Sequence, residues 1–267
     1  VIRASDGNDI LDGQAGSDTV NYLASGANFI SVSLSTNIDA TVTVDGGDND
    51  TIRNIENVTA TNGADIINGD SADNTIRGEG GDDIIKGGAG SDTFFGGGGT
   101  DQLRFDDLGT VGITLDLANS QATWAVDSSA DTYNGFESYY LTNLADDIIG
   151  SDGDDLVFGL GGDDTFNGSA GNDQFDGGQG TGDTIDYSAL AATKISVTLD
   201  GSNYADVTVT DGDDDQIKNI ENVVGTDGDD VITGDDQNNV LSGSDGNDII
   251  SGGAGNDTLN GGNGDDT

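Results

Sequence analysis

Apolar residues recur along much of this chain at every ninth position, each following a short glycine-rich polar turn. The segments GEGGDDIIK from Gly78, GGAGSDTFF from Gly87 and GGGGTDQLR from Gly96 follow one another without a gap. The unit returns at GLGGDDTFN from Gly159, GSAGNDQFD from Gly168, GSDGNDIIS from Gly243 and GGAGNDTLN from Gly252. Counting slots from the first glycine, the apolar slot eight predicts residues that point inward from a very short strand, its neighbours facing out. Ile85, Phe95, Leu103, Phe166, Phe175, Ile250 and Leu259 are expected in that role. A fixed short period predicts one small unit stacked many times, not a fold wrapped around a single active site.

Nonapeptide runs occupy roughly residues 4–21, 60–104, 142–186 and 225–267, separated by three interludes of a different pattern. There the apolar residues alternate: Ile30, Val32 and Leu34; Ile113, Leu115 and Leu117; Ile195, Val197 and Leu199. Period two predicts strands with one buried face. Each interlude is therefore expected to form a strand pair or extra coil packed on the end of a stack of nonapeptides. Ile52, Ile55 and Val58 then lead the chain into the next run. The first and third interludes match at an offset of 165 residues, and Glu56, Glu137 and Glu221 mark a longer period, 81 and 84 residues apart. The chain thus reads as an all-β array: the end of a run over 1–21, then three interlude-plus-run copies over 22–104, 105–186 and 187–267.

Glycines at slots one, two and four permit a tight turn with positive φ and leave backbone carbonyls uncovered. The aspartate at slot six adds a hard anionic oxygen. A turn that gathers carboxylates and carbonyls suits Ca²⁺, which takes six to eight oxygens in a forgiving geometry, better than Mg²⁺ with its strict octahedron. The charge agrees: 51 acidic residues against seven basic ones give a net −44, a strong self-repulsion for a compact body. About ten bound Ca²⁺ ions would cancel roughly half of it, so folding is expected to depend on the metal.

The pattern GGxGxDxUx, with U a large apolar residue, resembles the RTX nonapeptide family nearly slot for slot. The resemblance implies a right-handed parallel β-roll with two nonapeptides per coil and Ca²⁺ held between turns two units apart in sequence. It would pair Asp65 with Asp83, Asp83 with Asp101, Asp155 with Asp173, and Asp248 with Asp266. The full set of slot-six candidates for the metal is Asp9, Asp18, Asp65, Asp83, Asp92, Asp101, Asp147, Asp155, Asp164, Asp173, Asp183, Asp230, Asp248, Asp257 and Asp266. Asn74 and Asn239 hold slot six in GDSADNTIR and GDDQNNVLS, which predicts a weak or lost site at each. Register slips make Asp147 and Asp183 the least regular positions. The family also implies type I secretion by a bacterium, unfolded export, and folding outside the cell where Ca²⁺ is millimolar.

The chain has no cysteine, histidine or proline. Thiolate and imidazole metal sites and Ser-His or Cys-His catalysis are thereby excluded. Close carboxylate pairs follow from the turns themselves, so no enzyme is expected. Seven scattered basic residues disfavour nucleic acid as a partner, and no apolar run approaches membrane-spanning length. The chain opens without Met and closes in mid-repeat, as expected of a segment of a longer protein. The acidic stretches DGGDND (45–50) and DGDDD (211–215) read as solvated loops, with further Ca²⁺ sites as the alternative. Trp124, Tyr133, Tyr139 and Tyr140 form an aromatic group in the middle interlude: a repacked core, or if exposed a platform for a surface glycan. The function expected from all this is a Ca²⁺-stiffened stalk of an extracellular adhesin or fibre. The alternatives are the secretion module of an exported enzyme and a self-associating surface-layer or filament subunit.

Overall fold

The computed structural model describes residues 1–36, 38–109, 111–124, 129–190, 193–210 and 213–267. The described residues form short strands and turns, with no helix among them. They separate into two compact units, one of Val1–Leu108 with Ser120–Tyr140, the other of Gly109–Asn119 with Leu141–Thr267.

Within the first unit Ile66–Asn68, Ile84–Lys86 and Gln102–Arg104 stack in parallel, bringing Ile67, Ile85 and Leu103 into one row. Asn57–Thr59, Thr75–Gly80 and Thr93–Gly98 form the matching row of Val58, Ile76 and Phe94 on a second sheet. Each nonapeptide supplies one turn and one strand, and successive strands alternate between the two sheets, so a full coil takes 18 residues. The second unit repeats the arrangement, with Val157 beside Phe175 on one sheet and Ile148, Phe166 and Ile185 on the other.

A strand of three residues can bury only its central side chain, and slot eight is that centre. Phe94 is fully buried, whereas Phe95, expected inward, faces out beneath the Arg77 guanidinium at 3.9 Å. Phe95 stands at slot nine, one residue past the inward position. Ile250 and Leu259 sit on coils with a strand neighbour on one side only and stay partly exposed, Leu259 at 49%. Where the neighbouring coils are complete, the rows are closed: Phe166 and Phe175 pack with ring centroids 5.2 Å apart.

The interludes do not cap the stack; they are spliced into its sheets. Ile30–Ser33, Ala40–Val44 and Asn49–Arg53 form an antiparallel meander. Its outer strands lie parallel to roll strands on either side, Asn49–Arg53 against Ile10–Asp12 and Ile30–Ser33 against Ile66–Asn68. Two reversals leave the first and third strands pointing the same way, so both can join a parallel ladder. Ile195–Thr198, Ala205–Val209 and Asp214–Lys218 do the same in the second unit. In the middle interlude, Ala130–Asn134 stacks on Thr93–Gly98 within the first unit, and Ile113–Asp116 pairs with Asp147–Ile149 within the second. Tyr133, Phe136, Tyr139 and Trp124 are buried, with the Tyr133 ring 5.4 Å from Tyr139 and 6.5 Å from Phe136. Tyr140 lies half-buried under Arg104. Trp124, Tyr133 and Tyr139 belong to the core.

Candidate metal centres

The turns bring backbone oxygen very close to the next coil. Gly81 has φ +101°, and a Cβ there would stand 2.7 Å from the carbonyl oxygen of Gly63, one coil earlier. Gly90 and Gly171 meet the carbonyls of Ala72 and Gly153 in the same way. Slot one needs glycine for room, not for φ: a Cβ on Gly78 would enter the space of the Asp83 carboxylate and the Gly96 carbonyl. Carbonyls and slot-six carboxylates thus share the seam between coils.

Along that seam the carboxylates form ladders. The backbone N–H of Asp65 donates to Oδ1 of Asp83 at 2.8 Å, and the N–H of Asp83 donates to Oδ1 of Asp101 at 2.8 Å. In the second unit the N–H of Asp146 donates to Asp164, that of Asp164 to Asp183, and that of Asp155 to Asp173. Asp230, Asp248 and Asp266 continue the series at 2.8 and 3.1 Å. These carboxylates are buried from Asp65 through Asp248, while Asp9, Asp18 and Asp257 are half-buried and Asp266 is exposed.

The second carboxylate oxygen divides the rungs into two kinds. At Asp65, Asp146 and Asp230 it accepts the backbone N–H of Thr61, Thr142 and Thr226, whose hydroxyls also donate to the same group. Ser151 treats Asp155 likewise. At Asp83, Asp92, Asp101, Asp131, Asp164, Asp183 and Asp248 the Oδ2 atom is buried and accepts no hydrogen bond. Burial, aided by adjacent rungs at Asp83 and Asp164 and by Asp73, Asp70 and Asp107 at Asp92, pushes Asp83 and Asp92 up to about 7 and Asp164 to about 8. A buried anion with a free lone pair must protonate or acquire a cation.

Asn74 and Asn239 show the neutral solution to the same geometry. Oδ1 of Asn74 accepts the N–H of Asp70, and its Nδ2 donates to the Glu56 carbonyl at 2.8 Å. Asn239 repeats both bonds with Asp235 and Glu221. The amide carries its own positive hydrogens to the carbonyl and leaves no orphaned oxygen at slot six.

Among the expected ligands one is displaced. Asp146, not Asp147, enters the ladder, because Ile148 must face inward from Asp147–Ile149 and this turns Asp147 to the surface. Counted from Asp146, the spacing to Asp155 is regular. The extra residue before Asp183 is absorbed in the turn, so Asp183 keeps its buried rung 19 residues after Asp164. Six further rungs lie outside the slot-six set. Asp50, Asp131 and Asp215 are buried, and their Oδ1 atoms accept the N–H of Asp9, Asp92 and Asp173. Glu56, Glu137 and Glu221 accept from Asp18, Asp101 and Asp183. A signal for them exists in the chain: Asp50-Thr51-Ile52, Asp131-Thr132-Tyr133 and Asp215-Gln216-Ile217 keep the slot six-to-eight pattern without the glycines. The stretch 45–50 therefore ends in a rung, as does 211–215, of which Asp211 and Gly212 lie outside the described residues.

The donor set suits Ca²⁺. It consists of hard oxygens only, carboxylate and carbonyl, with an uncompensated anionic oxygen aimed into the seam. Among the described residues no three His, Cys, Asp or Glu side chains converge on one point. Each centre would therefore rest on carboxylates from adjacent coils, completed by backbone carbonyls and water. The model of the RTX calcium-binding nonapeptide repeat matches residues 1–24, 55–84, 68–103, 143–182, 219–250 and 233–267. No curated protein matches the chain.

Proposed function

Because the chain belongs to the family of RTX calcium-binding nonapeptide repeats, we propose that it is a Ca²⁺-dependent structural segment of a secreted bacterial surface protein, a stalk or spacer of an adhesin or extracellular fibre. The observation that carries this reading is the set of buried carboxylates in each unit whose Oδ2 atoms lack a hydrogen-bond partner. Bound Ca²⁺ would supply the missing charge and tie consecutive coils together. The slot-six residues that would hold it are Asp83, Asp92, Asp101, Asp164, Asp183 and Asp248, with Asp9, Asp18, Asp65, Asp155, Asp173, Asp230, Asp257 and Asp266 on neighbouring rungs and Asp146 in place of Asp147.

The chemistry of export supports the same reading. Seven basic residues against 51 acidic ones keep a Ca²⁺-free chain expanded, and extracellular modules typically bind Ca²⁺ at about 10⁻⁴–10⁻³ M. Such a chain crosses a membrane system unfolded and becomes rigid where Ca²⁺ is abundant. The interludes add apolar rows that the nonapeptide strands cannot supply, and their recurrence suits an array whose length matters.

The test is a Ca²⁺ titration followed by circular dichroism and light scattering on one sample. The proposal expects β-structure to appear cooperatively and to vanish with chelator, with scattering that of a monomer. A chain equally folded without Ca²⁺ would overturn the metal-dependent mechanism. Growth of fibres or sheets on adding Ca²⁺ would replace the spacer by a self-assembling subunit.

A further inference from the structure

One rung that joins a nonapeptide run to an interlude lacks the side-chain donors found at its two counterparts. In the first interlude the Asp9–Asp50 rung is satisfied by hydroxyls: Ser5 Oγ donates to Asp9 Oδ2 at 2.8 Å and Tyr22 Oη to Asp50 Oδ2 at 2.9 Å. In the third, Ser169 Oγ donates to Asp173 Oδ2 at 3.1 Å and Tyr187 Oη to Asp215 Oδ2 at 2.7 Å. The corresponding middle rung joins Asp92 to Asp131, with the Asp92 N–H on Asp131 Oδ1 at 2.7 Å. Here the serine position is Gly88 and the tyrosine position is Phe105. Both hydroxyls are missing together, and both Oδ2 atoms are buried without a partner.

The backbone hydrogen bonds at the aromatic position are the same in all three copies, so the missing hydroxyls are a difference of side chains. Phe105 N–H donates to the Tyr140 carbonyl as Tyr22 does to Thr59 and Tyr187 to Val224, and each aromatic residue's carbonyl then accepts the N–H three residues on. The middle copy also gains a carboxylate. Asp107, where the other copies have Ala24 and Ala189, lies within electrostatic range of both Asp92 and Asp131. Removing two donors and adding an anion would be destabilising unless something positive enters.

We propose that the Asp92–Asp131 rung binds a divalent, oxygen-seeking cation of the Ca²⁺ class, and that serine and tyrosine hydroxyls stand in for this ion at the two counterpart rungs. The proposal rests on the reading of the ladder carboxylates as Ca²⁺ ligands, and it extends metal binding to an interlude residue that no nonapeptide contains. Gly88 and Gly90 occupy slots two and four; in the preceding coil the carbonyls of those slots, on Asp70 and Ala72, face the following coil. The same orientation at Gly88 and Gly90 would offer two further oxygens to the ion.

The experiment counts Ca²⁺ ions by native mass spectrometry on the whole chain and on two variants, with circular dichroism to confirm folding. Phe105→Tyr supplies the absent hydroxyl and is expected to bind one ion fewer than the parent. Asp131→Asn removes the carboxylate and should lose the same single ion, which keeps the question answerable if either variant fails to fold. Equal, non-zero counts in the parent and in the folded variants would overturn this proposal and leave the nonapeptide sites standing. A parent that binds no Ca²⁺ would overturn both readings.

Discussion

Replacing Asp83 by asparagine removes one buried charge and nothing else of size, and its effect should depend on whether Ca²⁺ is present. Asp83 is fully buried between Asp65 and Asp101, and burial raises its carboxyl to about 7 against an ordinary 3.8. At about pH 7.5 the metal-free fold then carries an ionisation penalty on the order of 4 kcal/mol relative to the unfolded chain. The amide abolishes that penalty but brings N–H donors whose incomplete pairing costs about 1–2 kcal/mol. The metal-free chain should thus gain about 2–3 kcal/mol, a large share of the roughly 5–15 kcal/mol typical of a domain. In about 10 mM Ca²⁺ the parent recovers about 1.4–2.7 kcal/mol for each ion of millimolar to sub-millimolar affinity. The advantage of Asp83→Asn should therefore shrink toward zero as Ca²⁺ rises. Urea midpoints followed by circular dichroism, in chelator and across a Ca²⁺ series, measure both quantities. A variant less stable than the parent in chelator, or a difference indifferent to Ca²⁺, would refute the argument that the orphaned oxygen awaits a cation.

Asn74→Ala deletes two hydrogen bonds of a metal-free rung, so it should lower stability by about 1–3 kcal/mol equally with and without Ca²⁺, whereas Asp83→Ala, which removes a ligand, should reduce the stabilisation that Ca²⁺ adds. Phe94→Ala opens the core and should cost about 3–5 kcal/mol, while Phe95→Ala, at the surface beside Arg77, should cost under about 1 kcal/mol; chemical denaturation of the Ca²⁺-loaded chain distinguishes them. Acidification should act oppositely on the two forms. Asp83, Asp92 and Asp164 have folded values of about 7, 7 and 8, above the unfolded 3.8, so the folded metal-free chain binds protons that the unfolded chain releases. Metal-free β-structure should increase as pH falls from about 8 toward 4, and Ca²⁺ affinity should decline over the same window; dichroism and calorimetry at stepped pH would show whether both trends occur.

Much of the seam is legible in the spacing. A strict nine-residue period with aspartate two places before an apolar residue predicts which side chains stack, and Asp65, Asp83 and Asp101 stand on successive rungs. The pattern loses its power where the motif's glycines are absent. Asp50, Asp131 and Asp215 occupy the same rung geometry on strands of the interludes, because a ladder position is set by strand register and not by the preceding turn. Counted back from Asp155, the nine-residue spacing reaches Asp146 and not the expected Asp147, and the inward Ile148 fixes the same choice.

The repeat, the all-β class and the oxygen-rich chemistry of the turns all follow from local periodicity and residue type, and so are written in the chain itself. Which carboxylates are complete and which are not is a property of the folded molecule. Thr61, Tyr22 and Tyr187 satisfy their partners, while Gly88 and Phe105 leave Asp92 and Asp131 bare. Tyr22 reaches an aspartate 28 residues away, as does Tyr187. Whether a buried anion keeps a free lone pair depends on atoms that folding brings from distant parts of the chain, and no local pattern records it.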